Sequence, residues 1–194
     1  RDLTIAATLA GGALAALIWS SPYRLTRMLS WLDPWADALN SGYQLVNSFI
    51  AIGSGWFGAG LGQGVQKLHY LPEPHTDFIF AVLAEEFGLV GTTFVLLLFS
   101  VLVYRAFELG QRAFGADMKF HGLLSIGIGL SLGLQAAISI GVNTGLLPTK
   151  GLTLPLISYG RTSVVVTLVA LGLLLRIARE LADVDAAKSA RPKR

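Results

Sequence analysis

The chain has 194 residues, 53% of them hydrophobic and 14% charged, with a mean hydropathy of +0.61, a formal net charge of +3 and no cysteine. That balance excludes an ordinary soluble domain, and the missing thiols exclude disulfides and thiolate metal sites. The pI of 9.4 comes largely from the two ends and the tail, which argues against a nucleic-acid surface.

Long apolar runs recur at Leu3 to Tyr23, Phe87 to Tyr104, Gly122 to Leu147 and Ser163 to Leu175. A span needs about 20 residues to cross roughly 30 Å. The chain therefore reads as all-α integral membrane, with about four transmembrane helices near 3–20, 77–104, 121–144 and 160–180. Four helices make a thin bundle, so these residues read as the C-terminal part of a longer polytopic protein. Arg1 in place of an initiator Met, with no A-x-A-like site after Tyr23, points to an internal start and not a signal peptide.

The first span is rich in Ala, Leu and Gly and ends on Trp19 and Tyr23, as interfacial aromatics would. A long outer loop follows, over 21–76. Its first part mixes Arg24 and Arg27 with Trp31 and Trp35, which suits a segment lying on headgroups. Residues 43–52 fit a short amphipathic or a re-entrant helix, and periodicity leaves the choice open. Gly53 to Gly58 spells GxGxxG, but no strand–turn–helix unit surrounds it. The glycines continue through Gly60, Gly62 and Gly64, as in a flexible outer loop and not a dinucleotide site.

The stretch Lys67 to Gly88 organises the rest. Pro72 and Pro74 stop a helix from running through it, so His75, Thr76 and Asp77 stand where the next helix begins. Asp77 has two readings: a helix cap accepting from Phe80 or its neighbour, or a base at the lip of the membrane. Glu85 and Glu86 follow about 12–14 Å along the helix. Neither should face lipid. They either hydrogen-bond across helices or handle substrate or protons. Lys67 and Lys150 are loop cations that fit either a pyrophosphate or a solvated surface. His69 and His75 form no metal motif with the nearby acids.

The span at 121–144 carries Ser125, Gly129, Gly133, Ala137 and Gly141, a small-residue seam for close helix contact. Of the 15 Lys and Arg, five lie on the side of Asp77 (Arg24, Arg27, Lys67, Lys150 and Arg161) in long loops. The remainder, including Arg105, Arg112, Lys119, Arg176 and Arg179, lie on the other side. The positive-inside rule then places the tail in the cytoplasm and Asp77 outside.

The blocks WLDPWAD, SGYQLVNSFIAIGSG, GLGQGVQKLHYLPEPHTDFIFAVLAEEFGLVG and LLPTKGLTLPLISYG resemble the C-terminal half of the SEDS proteins (shape, elongation, division, sporulation). The likeness runs from Trp31 to about Arg179, and TKGLTLPL with Lys150 is more similar to the division branch than to the elongation branch. It implies a peptidoglycan glycosyltransferase that polymerises lipid II at the outer face of the bacterial cytoplasmic membrane, at the septum. The family's essential acid maps onto catalytic Asp77. Lys150, Lys67, Glu73, His75, Thr76 and Ser158 become substrate-binding residues, with Glu85 and Glu86 structural or proton-handling. No cofactor is implied beyond a divalent cation, Mg or Mn, as one candidate to meet the pyrophosphate charge. The implied partners are a class B penicillin-binding protein and other division membrane proteins. A lipid-precursor flippase and a non-catalytic scaffold are the alternatives. One position departs: the family's SYGGSS reads Ser158-Tyr-Gly-Arg161-Thr-Ser163, which puts bulk and charge where a close backbone approach is expected.

Overall fold

The computed structural model describes residues 2–65 and 75–189. Among them every regular element is helical: α1 (Asp2–Trp19), α2 (Pro22–Leu32), a 3-10 turn (Pro34–Asp37), α3 (Tyr43–Ile52), α4 (Ile79–Gly115), α5 (Lys119–Asn143) and α6 (Arg161–Ser189).

Two of these helices outrun the spans read from hydropathy. α4 continues past Arg105 because Glu108 pairs with Arg105 at 2.8 Å and Arg112 at 2.6 Å along its own helix. The expected basic loop is therefore mostly helix, and the turn into α5 is short, with Asp117 at φ 60°. α6 likewise runs on to Ser189, with Arg176 and Glu180 paired at 2.9 Å. α4 and α5 have the length and apolar composition to cross a membrane. In α6 the apolar run stops at Arg176.

α4 and α5 form an antiparallel hairpin whose contact line is the small-residue seam. A Cβ on Gly129 would stand 2.7 Å from that of Ala106, and Gly133 faces Val103 in the same way at 3.2 Å. Ser125 Oγ donates to Ala106 O at 2.8 Å. The seam is thus taken up inside the chain. α6 lies along both helices, closing a core of Ala106, Ile128, Leu132 and Leu174, then one of Ala113, Ile177 and Leu181. At the other end Phe80, Val95, Phe99, Ala136 and Leu154 make a third cluster. Large apolar side chains such as Leu97, Val101, Val169 and Leu175 point outward from these helices. That is the surface of a bundle solvated by lipid.

Residues 43–52 resolve as the helix α3, which buries Leu45, Val46, Asn47, Ser48 and Ala51 and packs on α4. α2 turns Leu25, Leu29 and Leu32 outward and holds the 144–151 loop from its other side. Trp31 Nε1 donates to Gly145 O at 2.8 Å, and Arg27 Nη1 to Thr149 O at 3.2 Å.

The glycine run Gly53 to Gly64 is not the flexible outer loop that its composition suggests. Its main chain bonds to α4 at a break in that helix at Gly88, because backbone groups freed by a break need partners.

Candidate functional site

Three connections converge on the start of α4: the α4 N-terminus itself, the end of α5, and the irregular segment that leads into α6. Consecutive carbonyls of His75, Thr76 and Asp77 are each taken by a donor from that surround. Tyr159 N–H donates to His75 O at 2.8 Å, Ser158 Oγ to Thr76 O at 2.6 Å, and Asn143 Nδ2 to Asp77 O at 2.9 Å. The Asn143 amide also accepts from Ala81 N–H through Oδ1 at 3.1 Å and donates to Ser139 O at 2.9 Å. Its own carbonyl accepts from Ser48 Oγ at 2.7 Å. A fully buried Asn in an apolar helix must find such partners, and it finds them at the segment that carries the acid.

With its main chain so held, Asp77 is half-buried and its carboxylate lies against Gly151. A Cβ there would stand 3.0 Å from Oδ2. Lys150, exposed, directly precedes that glycine. The helix-cap position of α4 belongs to Phe78, without a side-chain cap bond, so the cap expected of Asp77 falls one residue later. His75 is exposed and Thr76 half-buried. Ser158 is buried, and its hydroxyl ties Leu154 N–H at 2.7 Å to Thr76 O, which makes it a brace of the segment. Lys67 and Glu73 lie outside the described residues.

Arg161 opens α6 and is exposed, at the mouth of a groove of about 690 Å³ lined also by His75, Ile79, Ile157, Tyr159 and Val164. The Arg161 side chain is exposed, so the added bulk is not buried among the described residues. Glu85 is buried beside the glycine loop, where Oε1 accepts from Val65 N–H at 2.8 Å. Among the described residues no three His, Cys, Asp or Glu side chains gather as a metal site.

Asn143 was not among the sequence candidates. Its signal was an amide closing an apolar helix four residues after Ser139.

A protein-family model described as "Cell cycle protein", covering FtsW, RodA and SpoVE, matches residues 2–183. The chain belongs to the FtsW/RodA/SpoVE family. Curated relatives include "Probable peptidoglycan glycosyltransferase FtsW" of Nitrosococcus halophilus, 57% identical over 172 residues, which are 88% of this chain and 44% of that protein. Proteins of the same name from Thioalkalivibrio sulfidiphilus (57% identical, 88% of this chain, 43% of that one) and Legionella pneumophila (56%, 87% and 43%) match similarly. A solved chain comes from work on the "Structural coordination of polymerization and crosslinking by a peptidoglycan synthase complex". It matches with a TM-score of 0.70 and 33% identity over 93% of this chain and 49% of that one. The chain thus spans under half the length of these curated FtsW relatives, and the stretch matched is their C-terminal half.

Proposed function

We propose that this chain supplies the C-terminal half of a peptidoglycan glycosyltransferase that polymerises lipid II, with Asp77 as its general base. One observation carries the reading: the carbonyls of three successive residues, His75 to Asp77, are clamped so that the acid is presented beside Gly151 and Lys150. The names of the FtsW relatives support the same chemistry.

In the reaction, the Asp77 carboxylate takes the proton of the acceptor sugar hydroxyl as that oxygen attacks the anomeric carbon of the donor. The bond from that carbon to the pyrophosphate breaks, and the polyprenyl pyrophosphate leaves with the bonding electrons. Attack opposite the leaving group inverts the donor's configuration. Lys150 and Arg161, two exposed cations at this end of the bundle, meet the departing charge. Lys67, Glu73, His75 and Thr76 complete the substrate surround. A Mg or Mn ion would be held mainly by the substrate's pyrophosphate oxygens and water, since no three His, Cys, Asp or Glu side chains gather among the described residues. Such an ion supplies further charge neutralisation at the leaving group.

In this reading α1 and α6 join α4 and α5 as spans, the site faces outward and the C-terminal tail is cytoplasmic. The location is the division septum of a bacterial cytoplasmic membrane, beside a class B penicillin-binding protein and other division proteins. The solved relative's place in a peptidoglycan synthase complex supports such a partner.

The flippase and scaffold alternatives drew on Glu85, Glu86 and the small-residue seam. Glu85 bonds to the glycine loop and the seam packs on α4, so neither alternative gains a specific observation. Full-length protein with its partner should convert lipid II to glycan strands in liposomes. Movement of lipid II between leaflets without polymer would instead favour the flippase.

A further inference from the structure

α4 consists of two helical segments joined at Gly88, whose backbone (φ 63°, ψ −157°) leaves the helical region. An unbroken helix would bond Leu89 N–H to Glu85 O and Val90 N–H to Glu86 O. Instead Leu89 N–H donates to Gly55 O and Val90 N–H to Trp56 O, each at 3.2 Å. Glu85 O accepts from Ala59 N–H at 2.7 Å, and Glu86 O from Gly60 N–H at 3.0 Å. The loop therefore pairs all four main-chain groups that the break releases.

Two glycines permit the insertion. Gly58 sits at φ 67°, and a Cβ there would lie 2.6 Å from Glu85 O. A Cβ on Gly88 would run into Gly58 N and Trp56 O. Glu85 adds a side-chain tie through Val65 N–H. Irregular backbone at membrane depth persists only where protein covers it, and here the GxGxxG run is that cover.

We propose that this loop is a clasp, and that Gly58 and Gly88 are positioning residues for the reaction. The clasp fixes the break, and the break fixes the course of the half-helix Ile79–Phe87, at whose head Asp77 stands. The inference rests on the role given to Asp77 above. The competing arrangement is a continuous α4 with the loop withdrawn, which restores two helix bonds and forfeits four loop bonds. Alanine at position 88 disfavours the positive φ and favours the continuous helix.

In the full-length protein with its penicillin-binding partner, Gly88→Ala should remain folded and bind lipid II. Its polymerisation should slow about a hundredfold, the scale of an ångström's displacement of a catalytic group. Hydrogen exchange should show Ala59 and Gly60 losing protection while Leu89 and Val90 keep theirs, their partners having passed from the loop to the helix. Tyr159 N–H, which donates to His75 O, should also lose protection as the acidic segment shifts. Gly58→Ala tests the same clasp from the loop side and should give the same pattern. Undiminished turnover overturns the proposal, and so does loss of protection at all four clasp amides together with lost lipid II binding, the mark of a general folding defect. If the unsubstituted protein itself made no polymer, the glycosyltransferase reading would fail. The clasp would then stand or fall on the exchange of Ala59, Gly60 and Tyr159.

Discussion

Asn143, in the last turn of α5, grips Asp77 by its carbonyl and Ala81 by its amide, so that one side chain brackets the first turn of α4. The Asp77 carboxylate lies against Gly151. A fully buried amide thus serves the residue on which the proposed chemistry depends.

Asn143→Asp keeps an acceptor for Ala81 but cannot donate to Asp77 O. Removing one partner from a buried pair costs about 1–3 kcal/mol. The variant should unfold at a lower temperature and polymerise lipid II more slowly, as read by thermal unfolding and a strand-length assay on the full-length protein. Unchanged behaviour in both would mean that the bracket is dispensable.

The seam between α4 and α5 distinguishes neighbouring glycines. Gly129→Val would drive a branched side chain onto Ala106, and overpacking of this kind costs about 1–3 kcal/mol. Gly127 has open space where its Cβ would stand, so Gly127→Ala should be neutral or stabilise by up to about 1 kcal/mol. Denaturation of the two variants in matched detergent reads the difference. Equal effects would place the seam elsewhere.

Glu85 separates hydrogen bonding from proton handling. Glu85→Gln retains an oxygen for Val65 N–H and should keep most of the polymerising activity, whereas Glu85→Ala should lose the loop's tie and much of the activity. If Gln is as damaging as Ala, ionisation of Glu85 is what matters.

The outer loop carries one acid with a defined pH response. Asp37 accepts from Asn40 Nδ2 at 2.8 Å, and from Ser41 N–H at 3.1 Å and Ser41 Oγ at 2.8 Å. These bonds, the Asn40 side chain foremost, hold its carboxyl below the ordinary value of 3.8. A lowered folded value means that the stabilisation is complete above the ordinary value and is lost as pH falls through the lowered one. The 37–41 turn should therefore keep its amide protection down to about pH 4 and lose it only in stronger acid. Asp37→Asn should flatten that dependence.

The physical limits of sequence reading show in particular residues. The start of α4 was legible because Pro72 and Pro74 forbid a helix ahead of it and an apolar run follows at once. The end of α4 was misjudged because hydropathy falls at Arg105, while Glu108 pairs carry the helix onward. Gly88 gave no local sign: a single glycine in an apolar helix is ordinarily tolerated. Its break depends on Gly55 to Gly60, some 30 residues earlier. Asn143 was hidden for the same reason, its partners Ala81 and Asp77 being 62 and 66 residues away. What sequence spacing displays is local, and the candidate site is held by distant main-chain groups.

The most direct measurement compares Asp77→Asn with the unsubstituted full-length protein, each with its penicillin-binding partner, for both lipid II binding and glycan-strand formation. The asparagine variant should bind lipid II as tightly as the parent and form no polymer. Strands made by that variant at the parental rate would contradict the assignment of Asp77 as the base.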